Sequence, residues 1–156
     1  MRKGQAALEF LTTYGWAFLV ILVMIGALAY FGVLNPSKIL PGRCMFSPEL
    51  QCVEFKVIGN QSNNGVLKFR VINNIGSTAT FAFGATDLDK SQQATSCVAL
   101  NNGVDIRAGT TFEVNCTFGY TFPVGEKMKF EVNSTYQKSG GVYWTPMKGE
   151  VYADVE

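Results

Sequence analysis

Four cysteines carry the clearest chemistry that residue type and spacing suggest in this chain. No two of them are separated by only two residues, the spacing typical of metal-binding and redox dithiols. An even number of widely spaced cysteines behind an apolar N-terminus favours disulfides made in an oxidising compartment. We therefore predict two disulfides. Of the three possible connectivities we favour the sequence-local one, which pairs Cys44 with Cys52 and Cys97 with Cys116.

Other kinds of chemistry lack their usual residues. The chain has no histidine, the commonest general base and metal ligand. It has no phosphate-binding loop, nucleotide fingerprint or serine-nucleophile motif. Asp87 and Asp89 form an Asp-x-Asp pattern, but a calcium loop needs further oxygen ligands, so we predict a solvated turn there. We expect no enzyme activity, metal or cofactor, and the net charge of +1 argues against nucleic-acid binding.

One carboxylate, Glu9, lies directly ahead of a long apolar segment. No charged residue follows it until Lys38. A helix from about Ala6 to Leu34 would be about 43 Å long and could cross the hydrocarbon core of a bilayer. Such a helix is apolar nearly all round, so it must be surrounded by lipid or by other helices. A charge so close to this segment is costly and calls for a role.

Three interpretations fit the segment. A secretory signal would use Arg2 and Lys3 as its basic region and cleave after Ala29. A permanent single-span anchor would keep the same basic residues in the cytoplasm and leave the C-terminal part outside. Neither interpretation gives Glu9 a role, whereas the third one does.

The third interpretation rests on the stretch KGQAALEF, residues 3–10. It resembles the class III signal of archaeal type IV-like prepilins, in which a basic residue and a glycine precede a Gln-x-Ser-x-Glu-Phe pattern and the apolar helix. Gln5, Glu9 and Phe10 match that pattern, and Ala7 stands where serine is usual. The resemblance implies that a prepilin peptidase cleaves between Gly4 and Gln5.

Cleavage at that bond would remove the leader, 1–4, and retain residues 5–35 as a membrane anchor that later packs in the core of a filament. The assembly residues would be Gln5, Glu9 and Phe10, with Glu9 pairing with the new amine of Gln5 on a neighbouring subunit. An unpaired buried charge is costly, so this pair would set the register between subunits.

The remaining sequence has the alternating pattern of apolar and polar residues that is typical of strands. We predict a linker over 36–49 and a head domain over 50–156, because apolar and polar residues alternate in several short runs. The predicted strands are 53–57, 66–71, 77–83, 110–114, 128–132, 142–144 and 150–155, separated by turn-forming residues. We therefore expect an α+β protein, with a long hydrophobic N-terminal helix followed by an antiparallel β-sandwich of immunoglobulin-like type.

Three Asn-x-Ser/Thr sequons begin at Asn60, Asn115 and Asn133. We favour Asn60, which we expect in a loop, and place Asn133 second at a strand end. A disulfide at Cys116 would hinder Asn115.

Taken with the resemblance, these features lead us to expect a structural subunit of an archaeal type IV-like pilus, located in an extracellular filament on the cell surface and used for adhesion. Its partners would be other copies of itself, the prepilin peptidase, the pilus assembly machinery and, before assembly, the cytoplasmic membrane. The alternative is a monomeric, membrane-anchored extracellular β-sandwich binding module.

Overall fold

The computed structural model describes residues 3–31 and 40–156, and it divides the chain into two units, Met1–Leu40 and Pro41–Glu156. The described residues of the first unit contain one helix, α1, at Lys3–Tyr30. The predicted helix end at Leu34, the stop at Asn35-Pro36 and the basic Arg2 lie outside the described residues. The fold class is α+β, because the second unit consists of antiparallel sheets.

Nine strands and one 3₁₀ turn make up the second unit, which we call the head. In chain order they are β1 Arg43–Phe46, β2 Leu50–Gln61, β3 Asn64–Asn73, β4 Ala79–Asp87, β5 Gln92–Gln93, β6 Ser96–Ala99, the 3₁₀ turn Leu100–Gly103, β7 Thr111–Phe118, β8 Lys127–Lys138 and β9 Thr145–Asp154. They form a five-stranded sheet in the order β1-β9-β8-β4-β5 and a four-stranded sheet in the order β2-β3-β7-β6.

Alternation of side chains gives each sheet one buried face. In β3, Leu67, Phe69 and Val71 are fully buried, while the intervening Arg70 is exposed. The buried faces of the two sheets meet, as the ring centroids of Phe118 and Phe130 lie 5.4 Å apart. All members of this core cluster come from Leu50–Val155, so the head buries its core without a contribution from α1.

Two features of the head differ from the sequence predictions. The proposed linker 36–49 contains β1, whose Arg43 pairs with Tyr152 of β9, so the sheet begins before residue 50. Val142–Trp144 forms no strand. These residues lie in the loop that connects the end of β8 at Lys138 to the start of β9 at Thr145.

Candidate functional site

The apolar surface of α1 is the most conspicuous candidate for function. Leu8–Tyr30 is a run of 23 residues, long and apolar enough to cross a membrane, which corresponds to about 35 Å of helix. None of its described side chains is buried within the chain, and the exposed fractions of Trp16 and Phe18 are 70% and 63%. So much exposed apolar surface requires lipid or protein around it.

The polar side chains of α1 are compatible with such surroundings. The hydroxyl of Thr12 donates to the carbonyl oxygens of Leu8 and Glu9, at 3.0 Å in each case. The hydroxyl of Thr13 donates to the carbonyl oxygen of Glu9 at 2.9 Å. Because the helix itself satisfies both donors, these threonines do not oppose burial in an apolar medium.

Glu9 differs from the threonines. Its side chain is exposed, and none of the ion pairs among the side chains that the structure describes involves its carboxylate. Phe10 follows at 62% exposure and packs on the ring of Tyr14, with 4.3 Å between centroids. The predicted cleavage bond between Gly4 and Gln5 lies in the first turn of α1.

Two disulfides cross-link strands of the head, and both predicted pairings are confirmed. Cys44 is bonded to Cys52, which joins β1 of one sheet to β2 of the other. Cys97 is bonded to Cys116, its direct cross-strand partner in the β6–β7 register. An apolar helix of this length can anchor in a membrane, and two disulfides indicate an oxidising, extracellular environment.

The predicted solvated turn is confirmed for Asp89, which is exposed, and is wrong for Asp87. Its side chain is fully buried at the end of β4, and its carboxylate accepts hydrogen bonds from the backbone N–H groups of Asp89 (2.8 Å) and Lys90 (3.4 Å) and from the hydroxyl of Tyr120. The Lys90 ammonium lies 4.3 Å from the centroid of the Tyr120 ring. This cluster closes the turn after β4, because a buried carboxylate must have its acceptors satisfied.

The three sequon asparagines lie in different settings. Asn60 is exposed near the end of β2, not in a loop, and its side-chain oxygen accepts from the N–H of Asn63 at 3.0 Å. Asn133 is exposed in the middle of β8, not at a strand end, and pairs with Gly84 and Lys148. Asn115 in β7 has a buried side-chain oxygen that no described group contacts.

Ion pairs cover the outer face of the five-stranded sheet. Lys129 lies 3.0 Å from Glu150, and Lys148 lies 3.2 Å from Glu131. The hydrogen bond from Lys129, with a further one from Arg43, lowers the pKa of Glu150. Within residues 3–31 and 40–156, no group of three or more cysteine, aspartate or glutamate side chains is arranged to hold a metal ion.

Sequence reasoning missed the contact between Tyr120 and Asp87, because 33 residues separate the two. It also missed the exposure of Tyr143 and Trp144, which the glycine pair just before them and the run of three apolar residues could have indicated. Comparison of the chain with protein-family models, with curated proteins and with solved structures finds no match.

Proposed function

We propose that this protein is a pilin-like structural subunit that polymerises through α1 into an extracellular filament of the archaeal type IV-like pilus kind. The observation that carries the proposal is the exposed apolar run Leu8–Tyr30 of α1, which overlaps the prepilin-like residues 3–10 and has the exposed carboxylate of Glu9 near its start. The resemblance of those residues to class III signals supports the same assignment.

The energetics of the helix favour association with other copies. In the precursor, lipid would surround the apolar residues of α1, and in the filament the helices of neighbouring subunits would replace that lipid. Removing the leader would leave a new α-amino group on Gln5, and a neighbouring copy shifted along the filament axis would bring that amine to Glu9. Each charge then loses its desolvation cost only when subunits meet in the correct register.

In this proposal the head coats the filament. We assign it an immunoglobulin-like sandwich, supported by two antiparallel sheets that share one core. The two disulfides suit an exposed extracellular position. Adhesion is the proposed role of the filament, and the prepilin peptidase and the assembly machinery are its proposed processing partners.

The test begins with the mature N-terminus and with filaments sheared from cells. We expect the mature chain to start at Gln5 and to be the dominant protein of the filaments seen by electron microscopy. A chain that starts at Met1 and stays monomeric in the membrane would support the anchored binding module instead. A start at Tyr30 would indicate a secreted protein.

Glu9→Gln tests the role of the carboxylate. We expect the variant to be made, cleaved and folded but to yield few filaments, because the amide cannot pair with the amine of Gln5. The matched control is Glu126→Gln, which removes an exposed carboxylate from the head and should leave the filament yield unchanged. Normal filament yield and register with Glu9→Gln would exclude the proposed ion pair.

A further inference from the structure

The loop between β8 and β9 presents three apolar side chains to solvent. Val142 is 79% exposed, Tyr143 is 86% exposed and Trp144 is 48% exposed. Because three successive side chains are exposed, this segment stands out from the packed surface of the head. Aromatic residues exposed together in this way mark a surface that contacts something else.

The start of the loop has a fixed shape. The N–H of Gly141 donates to the carbonyl oxygen of Lys138 at 2.8 Å, and the side-chain amide of Gln137 donates to the carbonyl oxygen of Gly141 at 2.9 Å. Gly140 has a φ of +78°, which favours glycine at this position. These bonds hold the turn that presents the apolar residues, so less ordering entropy is lost when they bind.

The loop lies at the end of the head opposite the point where the chain enters it. The chain enters at Pro41, and Arg43 of β1 pairs with Tyr152 near the end of β9. The loop instead precedes Thr145, at the start of β9. These two ends of β9 are about 23 Å apart at 3.3 Å per residue.

One basic residue next to the loop, Lys138, favours an anionic partner. The stretch 132–149 contains two lysines, Lys138 and Lys148, and no acidic residue. Lys148 is paired with Glu131 of the neighbouring strand. Asp105 and Arg107 lie on the segment that bridges to β4 at this end and offset one another.

We propose that Val142, Tyr143 and Trp144 insert into the interface of a lipid bilayer that carries anionic headgroups, with Lys138 near the phosphates. A bilayer can surround a projecting apolar segment without offering it a complementary pocket. Tyrosine and tryptophan concentrate at membrane interfaces because one part of each ring is apolar and another part is polar. Basic residues beside such a segment are attracted to anionic lipid. This inference does not depend on whether α1 polymerises.

The experiment uses the head, residues 41–156, because that unit buries its own core and contains both disulfides. Trp144 is its only tryptophan and therefore reports on the loop directly. We expect its emission to shift to shorter wavelength with vesicles of phosphatidylcholine and phosphatidylglycerol in equal parts. The shift should be weaker with phosphatidylcholine alone.

Two variants and one matched control complete the test. Val142→Ser should weaken partitioning into the anionic vesicles roughly fivefold, and Lys138→Ser should weaken it about fivefold through lost attraction to the headgroups. Val124→Ser removes a valine that is 69% exposed at the other end of the head and should have no effect. An unchanged Trp144 emission with anionic vesicles, or equal weakening by Val124→Ser and Val142→Ser, would overturn the proposal.

Discussion

Replacing Tyr120 by phenylalanine tests whether Asp87 is a buried structural group. The substitution removes only the hydroxyl that donates to the Asp87 carboxylate. The ring keeps its neighbours, since Phe122 and Phe118 lie 5.4 Å and 6.0 Å from it between centroids. The change in stability therefore reports on the hydrogen bond more than on packing.

The size of the effect follows from burial. Asp87 has no exposed surface, so the carboxylate cannot exchange the lost donor for water. A hydrogen bond to a charged group contributes about 1.5–3 kcal/mol, and we expect Tyr120→Phe to lower the free energy of unfolding by about 2 kcal/mol. With a urea m-value of about 2 kcal/mol/M for a domain of this size, the midpoint should fall by about 1 M.

The pH dependence gives a second signature. Burial, followed by the hydrogen bond to Asp87, raises the pKa of the Tyr120 hydroxyl above its ordinary value of 10.0. The folded state thus favours the protonated phenol more than the unfolded state does. That contribution is complete below pH 10 and is lost as the pH rises toward the folded-state pKa. We expect the head to lose stability above pH 10, and Tyr120→Phe to lose less over the same range.

The assay is urea unfolding of residues 41–156, followed by Trp144 emission and far-UV circular dichroism. Tyr143→Phe is the matched control, because its hydroxyl belongs to a residue that is 86% exposed and the change should stay within about 0.5 kcal/mol. If Tyr120→Phe were no more destabilising than this control, Asp87 would not depend on the tyrosine and the reasoning would fail.

Three further predictions concern the head. Replacing Cys44 and Cys52 together by alanine should lower the free energy of unfolding by about 2.5 kcal/mol, the loop-closure term for a separation of eight residues, and a loss below about 1 kcal/mol in urea unfolding would contradict it. Glycopeptide mass mapping should find the exposed Asn133 modified and Asn115, with its buried side-chain oxygen, unmodified; the reverse pattern would count against using exposure to rank the sequons. Gly103→Ala should cost more than about 2 kcal/mol in thermal unfolding, since its φ is +78° and a Cβ there would overlap the Phe81 carbonyl oxygen; an unchanged midpoint would show that the turn can rearrange.

Local pattern predicted much of the head. Residues 66–71 and 128–132 alternate apolar and charged side chains, and they lie in β3 and β8 with the apolar side chains buried. Alternation works here because each sheet has one buried and one exposed face. The sequence-local disulfide pairing was also predicted correctly, and the structure shows that Cys97 and Cys116 occupy neighbouring strands of one sheet.

The failures arise where a distant partner decides the outcome. Val142–Trp144 has three apolar residues of strand-forming type, yet the β8–β9 pairing ends at Tyr136 and Thr145 and leaves them outside the sheet. Asp87 looks like a turn residue locally, and the N–H groups of Asp89 and Lys90 donate to one of its oxygens. The donor to its other oxygen, the Tyr120 hydroxyl, comes from the segment after β7. Strand propensity describes which structures a segment can adopt, whereas the pairing register with other segments decides which structure it adopts.

The apolar surface of α1 also depends on a distant partner, which in this case would be another molecule. Composition predicts the apolar helix, because a membrane-length run of apolar residues has few alternatives. The position of Glu9 predicts that a cation must meet it, but none of the cations whose side chains the structure describes forms an ion pair with it. Under the proposed function that cation is the amine of another copy, so the information that explains Glu9 lies in the relation between two subunits. A carboxylate that looks like a defect in one chain would then be the feature that fixes how chains are placed along a filament.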